Sequence, residues 1–461
     1  MEQFNRKIIS HLKRWADSKD RKPLILRGAR QVGKTTAVNI FSKQFDQYVY
    51  LDLEKSEEAD LFRRELRVKE LLQSIFLFKN VTPKKGKRLL FIDEIQNSLE
   101  AVSVLRYFYE EMPDLYVISA GSLFEIMLEK KQISFPVGRV QFFFIYPLIF
   151  EEYLEAIEEY NALELLNSIP FPKFAYQTLF KLFHNYTLIG GMPEIIAKYR
   201  ITEDIHELNS VYQSLLTGYI DDASKYARNE TMRNIIKHCI ESAPYEAGKR
   251  ISFAGFGNSN YRSREAGEAL KILERAMLLY LFYPTTKTEI PIIQNKKKSP
   301  RLQFFDTGIL NFVSGLQQYF FNFDNLHAFY KGLLAEHIVG QELIASDFLT
   351  SRKPAFWVRE KKQSSAEVDF IFQFDRFVIP IEIKSGKSGT LRSLHQFINR
   401  CDHSLAIRLY SGPLQIESTK TPEGKSYHLL SLPYFLACRL KDYIAWFIEN
   451  VKNNALSIPQ V

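Results

Sequence analysis

Two stretches of the chain carry side chains whose types and spacing could do chemistry. The first is Gly28-Ala29-Arg30-Gln31-Val32-Gly33-Lys34-Thr35, a GxxxxGK[ST] pattern between the apolar run Leu24-Ile25-Leu26 and a helical pattern beginning near Lys34. Glycine at both ends lets the backbone turn its amide hydrogens inward. The start of a helix adds unpaired amides of its own, so Gly28 through Thr36 would line a cup for phosphates. Within such a cup Lys34 would reach the β- and γ-phosphates and the Thr35 hydroxyl would hold Mg²⁺. By residue frequencies the pattern arises by chance in roughly one chain in a hundred of this length. The competing reading is a glycine turn before a helix. The loop reads phosphates, so it does not separate ATP from GTP.

Leu89-Leu90-Phe91-Ile92-Asp93-Glu94 supplies a second half for the same site. Four apolar residues predict a buried strand, and its acids stand at the carboxyl end, where open α/β sheets bind ligands. Asp93 would hold Mg²⁺ through water, and Glu94 would act as general base on the attacking water. The strand ending in Ser119-Ala120-Gly121-Ser122 could place a polar residue beside the γ-phosphate, with Ser122 favoured over Ser119. Arg139 could reach a phosphate from the same or a neighbouring subunit, or serve as a plain surface arginine.

The other stretch lies near the carboxyl terminus, where Asp369 is followed 13 positions later by Glu382-Ile383-Lys384. This fits a D…(D/E)xK nuclease core. Residues two apart on a strand share a face, so Glu382 and Lys384 would project together. Asp369 and Glu382 could hold Mg²⁺ or Mn²⁺ through hard oxygen ligands, with Lys384 assisting the metal-bound water. The spacing alone is weak, since a chain this long gives about two chance matches.

These residues need elements to place them. Strand-like segments at 23–27, 48–54, 87–96 and 114–122 alternate with helical ones at 34–45 and 102–112, which predicts a parallel α/β sheet. From 150 to 245 the pattern is almost wholly helical, broken by Ile189-Gly-Gly-Met-Pro193. Residues 231–305 predict three helices, the middle one at Ile251–Gly257, and two strands. Residues 252–282 suggest a helix-turn-helix, and the hairpin around 294–301 its wing, with Lys296, Lys297, Lys298 and Arg301 at the tip. Arg262, Arg264 and Lys271 fall on or near the recognition helix, where phosphate contacts would supply affinity for DNA. A solvated hairpin and a helical adaptor between domains is the alternative. A helix over 328–346 and close-set strands from 355 onward predict a separate α+β domain.

Composition bounds the rest. The chain has 461 residues, with 61 Lys+Arg against 53 Asp+Glu for a net charge of +8. That length suggests two to four domains, and the balance permits a polyanionic partner. Cys239, Cys401 and Cys438 lie far apart, which argues against a disulfide framework or cysteine zinc site and for a reducing cytoplasm. The most apolar runs, 142–150 and 276–283, are too short to span a bilayer.

Gly28–Thr36, Leu89–Gln96, the Gly-Ser after a strand, Gly138-Arg139, Pro147–Leu154 and Gly190–Glu194 occur in that order. Together they resemble a widespread prokaryotic family of AAA-type P-loop ATPases, whose C-terminal domain of formally unknown function resembles PD-(D/E)xK restriction-endonuclease-like nucleases. The resemblance implies an AAA-type ATPase domain (1–150), a helical segment (151–228), a winged-helix segment (229–325) and a nuclease-like domain (326–461). It implies ATP as the nucleotide, DNA as partner, and assembly as a homo-oligomer as one option. It also assigns Glu336 as a helical acid, either a third ligand or a support for one. Ala120 departs from the threonine usual in relatives. The expected activity is ATP binding and hydrolysis coupled to DNA binding and metal-dependent cleavage. The alternative is a nucleotide-switched DNA- or protein-binding regulator with an inactive nuclease-like domain.

Overall fold

The computed structural model describes residues 4–63, 66–121, 138–317, 333–350, 352–360, 366–384 and 390–453. The first sheet contains β1 (Leu24–Arg27), β2 (Gln47–Asp52), β3 (Arg88–Asp93), β4 (Leu115–Gly121) and β5 (Gln141–Phe144) in the order β2-β3-β4-β1-β5. Every pairing is parallel, as the alternation of strands and helices predicts. Successive side chains point to opposite faces. Leu89 and Phe91 therefore pack with Ile8, Leu12, Val38 and Phe41 on one side. Leu90 and Ile92 pack with Leu71, Ile75, Val102 and Leu105 on the other. Central strands covered on both faces must read as near-continuous apolar runs, as β1, β3 and β4 do apart from Ser119.

Helices follow over Phe150–Ala156, Tyr160–Asn167, Tyr176–Ile189, Pro193–Thr202, Asn209–Ser224 and Glu230–Glu246. The last is followed by Ser263–Arg275, then by β6 (Leu279–Phe282) and β8 (Arg301–Phe304), which pair antiparallel. Ile251–Gly257 is not a helix. Only Phe256–Asn258 makes a 3₁₀ turn, flanked by Gly255 at φ 69° and including Gly257 at φ 63°. The expected wing differs too. Between β6 and β8 the chain contributes β7 (Pro284–Thr285) to another sheet, pairing in parallel with Phe356 and Trp357. Arg301 is not at a tip but buried at the start of β8.

That second sheet has seven strands in the order β13-β14-β12-β11-β10-β9-β7. The remaining members are β9 (Ala355–Val358), β10 (Glu367–Phe374), β11 (Phe377–Lys384), β12 (Leu405–Tyr410), β13 (Gln415–Lys420) and β14 (Ser426–Pro433). A helix over Leu333–Ala345 packs on it and on β8. No described helix is long and apolar enough to cross a membrane. Cys239, Cys401 and Cys438 are buried free thiols.

Buried carboxylates join the segments. Asp306 caps the helix Thr307–Val313 and accepts the Gly191 amide at 2.7 Å. Burial raises its pKa to about 6, against the pull of the amides it accepts. The chain crossing is tight. A Cβ on Gly308 would lie 2.0 Å from the Ile189 carbonyl oxygen, and one on Gly190 would lie 2.4 Å from Asp306 Oδ1. Glu342, wholly buried, accepts the Phe150 amide at 3.2 Å and lies 2.5 Å from the Tyr186 hydroxyl. That hydroxyl has one hydrogen, and the Leu148 carbonyl lies 2.8 Å away as a second acceptor. A protonated Glu342 resolves the conflict by donating to Tyr186 while Tyr186 donates to Leu148. Burial pushes the Glu342 carboxyl up to about 8.

A folded-state pKa above the unfolded value gives a stabilisation present below about 4.5 and lost as pH rises through about 8. The Glu342→Gln protein keeps a neutral group there. Its unfolding free energy should rise relative to wild type between pH 5 and 8, as chemical denaturation at a series of pH values will measure.

Candidate nucleotide site

The glycine-rich loop leaves the carboxyl end of β1 and closes on the helix Lys34–Ser42. Gly33 precedes that helix at φ 94°, a backbone setting glycine takes without strain. Gln31 sits at φ 63°, which disfavours a side chain. A Cβ on Gly28 would stand 2.3 Å from the Ile145 carbonyl oxygen, so the loop's first position has no room for one. Ala29 and Val32 turn buried side chains into the core, whereas Gln31 is exposed. What the loop presents is therefore its backbone and the helix start that includes Thr36.

Lys34 is buried, and its Nζ donates to the carbonyls of Gly28 at 3.0 Å and Ala29 at 2.8 Å. Burial lowers its pKa, opposed by Glu94, Asp93 and Asp222. Thr35 donates its hydroxyl to Asp93 Oδ2 at 2.6 Å. Asp93 ends β3, and its other oxygen accepts the Glu94 amide at 3.0 Å. Its carboxyl is raised by burial, partly offset by those two donors. Thr35 and Asp93 thus set hard oxygen atoms side by side at the helix start, a donor set that fits Mg²⁺.

Glu94 takes a left-handed turn at φ 50° immediately after β3. Its carboxylate accepts from the Gln96 side-chain amide. Burial raises its pKa, with Lys34 the main opposing influence. Gln96 is held where Gly121 leaves space, since a Cβ there would lie 2.4 Å from Gln96 Oε1. Gln96 lay within a quoted motif yet carried no role in the sequence reading.

Three further placements bear on the site. Ser119 is buried within β4 and donates to the Leu24 carbonyl at 3.3 Å, so its hydroxyl serves the sheet. Ser122 lies outside the described residues. Arg139 precedes β5 and pairs with Glu110 at 2.9 Å, at the edge of the sheet opposite the loop. In its own chain it does not face the cup, which leaves a neighbouring subunit's phosphate or a plain surface arginine paired with Glu110. Its guanidinium pKa is raised by that carboxylate.

Arg6 went unnoticed in the sequence. Its guanidinium donates to the carbonyls of Val32 and Tyr146, both at 2.8 Å, and pairs with Glu152 at 3.0 Å. Asp222 pairs with Arg30 of the loop at 3.0 Å. The Tyr219 hydroxyl, one turn earlier, donates to the Arg30 carbonyl at 3.1 Å.

The carboxyl-terminal cluster forms, with one addition. Asp369 Oδ2 accepts the Ile383 amide at 2.7 Å, and Lys384 Nζ bonds Glu382 at 2.6 Å. Glu336 pairs with the Arg301 guanidinium at 3.1 Å, and Asp369 lies 3.9 Å from the same guanidinium. Burial raises the pKa values of Glu336 and Glu382 to about 8, and Asp369 is raised as well. Among the described residues no group of three or more His, Cys, Asp or Glu is arranged to hold a metal ion. With an arginine inside it, this donor set does not fit the divalent ion expected at Glu336, Asp369 and Glu382.

Comparison with known proteins matches the segment that carries the first site to a known domain. Residues 20–154 match the family described as AAA domain, and 180–319 and 331–435 match two domains of unknown function, DUF8612 and DUF4143. No curated protein matches the chain. The Walker-type ATPase PABY2304 of Pyrococcus abyssi is similar at 14% identity and TM-score 0.43, over 68% of this chain and 96% of that one. The ORC2 protein of Aeropyrum pernix is similar at 13% identity and TM-score 0.29, over 68% and 93%. The RuvB Holliday junction branch migration motor of Thermotoga maritima is similar at 15% and TM-score 0.27, over 64% and 93%. The amino-terminal part is a P-loop ATPase domain of the AAA type.

Arg6→Ala would leave Glu152, whose side chain is 1% exposed, as an uncompensated buried charge. Breaking such a pair costs about 3–5 kcal/mol. Unfolding free energy should fall by that order, and the Arg6→Met/Glu152→Gln protein should recover part of it in the same denaturation measurement.

Proposed function

We propose that this chain is an ATP-hydrolysing switch whose nucleotide state sets its grip on DNA. The amides of Gly28 through Thr36 and the Lys34 ammonium receive the phosphates, and Thr35 and Asp93 hold Mg²⁺ there. When bound, that ion neutralises charge on the phosphates. Glu94, fixed by Gln96, takes the proton of the attacking water. Bringing Lys34 to a phosphate requires it to leave the Gly28 and Ala29 carbonyls, so occupancy and loop geometry change together.

The observation that carries the coupling is the Arg30–Asp222 ion pair at 3.0 Å. Asp222 is in the last turn of the helix Asn209–Ser224. Tyr226 and Arg228 follow directly and line a cavity of about 570 Å³ with Phe253, Arg264, Lys271, Arg275 and the acid Glu268, which pairs with Arg228 at 3.4 Å. Tyr226 belongs to both places. Its hydroxyl is pushed up to about 12 by burial and then by Asp222 and Glu94. Guanidinium and ammonium groups beside two aromatic rings suit a nucleic-acid strand, the cations meeting phosphates and the rings meeting bases. Exposed Lys296 and Lys297 extend the basic surface. Helix Ser263–Arg275 with β6 and β8 serves as the winged-helix part of this reading. Arg139 is offered to a neighbouring copy.

For the carboxyl-terminal domain, the arginine within the acidic cluster favours holding over cutting. The nuclease reading, in which Lys384 assists a metal-bound water, requires Mn²⁺- or Mg²⁺-dependent DNA cleavage that Lys384→Ala removes.

Glu94→Gln should bind magnesium nucleotide as wild type does and hydrolyse it at least ~10²-fold more slowly, the scale of general-base catalysis. Near-normal turnover would take that role from Glu94. DNA affinity measured by fluorescence anisotropy should differ between ATP and ADP in wild type, and the ratio should approach one in Asp222→Ala. Equal affinities in wild type would end the coupling reading.

A further inference from the structure

The cluster formed by Glu336, Glu367, Asp369 and Glu382 holds a cation supplied by the chain itself. Arg301 is buried, with its side chain 7% exposed. Its guanidinium pairs with Glu336 at 3.1 Å and with Glu367, and donates to the Asp369 carbonyl at 3.1 Å. The Phe356 ring lies 4.9 Å away and covers the guanidinium plane. A planar fork bonded to several acceptors at once is the use to which arginine is best suited.

This guanidinium does not reach in from a free loop. Its strand, β8, is stitched to the helix that carries Glu336. The Phe304 amide donates to His337 Nε2 at 2.9 Å, and Gln303 donates to the His337 carbonyl at 2.9 Å. Just beyond the strand, the Thr307 amide donates to Gln341 at 2.9 Å. Gly340 leaves the space that Gln303 fills, since a Cβ there would lie 2.4 Å from Gln303 Oε1. These bonds fix the strand that presents Arg301 against the helix that presents Glu336.

We infer that Arg301 is the resident counter-ion of the acidic cluster and latches the middle segment to the second sheet, in place of a divalent metal. The carboxylates that a metal would share are joined instead to a side chain from another segment. Lys384 pairs with Glu382, and Arg250 with Glu367 at 3.6 Å, which offsets part of the remaining charge. This inference is independent of ATP turnover and of the DNA reading.

The two alternatives predict opposite metal uptake by wild type: a metal cage takes up Mn²⁺ through Asp369, whereas a cluster already occupied by a guanidinium does not. Mn²⁺ titration of the full, nucleotide-free chain, followed by electron paramagnetic resonance, gives the readout. Wild type and Asp369→Asn should take up equal Mn²⁺. Arg301→Met, checked for folding by circular dichroism, should gain one site, and adding Asp369→Asn should remove it. A wild-type Mn²⁺ site that Asp369→Asn abolishes would overturn the inference. The wild-type and Asp369→Asn titrations decide the matter even if Arg301→Met does not fold.

Discussion

The guanidinium of Arg6 is the fastening on which the nucleotide site depends. It gathers the carbonyl before Gly33, the carbonyl after β5 and the carboxylate of Glu152 into one buried knot. Glu152 also accepts the amides of Lys7 at 2.8 Å and Ile149 at 3.3 Å. A phosphate cup made of backbone has no side chains of its own to hold its shape. Its shape must come from outside, and here much of it comes from a residue preceding the first helix. Hydrogen bonds to charged groups are worth about 1.5–3 kcal/mol each, so such a knot is stiff.

The same device recurs wherever segments meet. Asp306 holds the Gly190-Gly191 corner, Glu342 holds the start of the helix Phe150–Ala156, and Arg301 holds the second sheet. Each is buried, and each is matched by donors or acceptors distant in sequence. Burial makes an unmatched charge costly, so these contacts fix orientation more strictly than apolar packing does. A change at the loop therefore meets a body with few soft joints. The Arg30–Asp222 contact, with side chains 36% and 14% exposed, is one of the softer ones.

The strands of the first sheet were legible because both faces are covered, which forces near-continuous apolar runs. The loop and the acids after β3 were legible because phosphate chemistry restricts residue types at fixed spacing. Arg6 left no such trace, since a lone arginine just ahead of an amphipathic helix looks like a solvated one. Arg301 misled because it follows three lysines, and charge runs ordinarily mark exposed turns. Its partners are 35 to 68 residues away, beyond any local pattern. β7 was missed because two residues carry no periodicity.

Where Ile189, Gly190, Asp306 and Gly308 cross, two stretches over a hundred positions apart share a gap too small for one methyl group. Neither glycine can be exchanged alone, and no compensating exchange exists, because the obstacle at Gly308 is a main-chain oxygen rather than a side chain that could shrink. Drift at these two positions is closed from both sides. Descendants of this sequence are expected to vary around that crossing while passing it on intact.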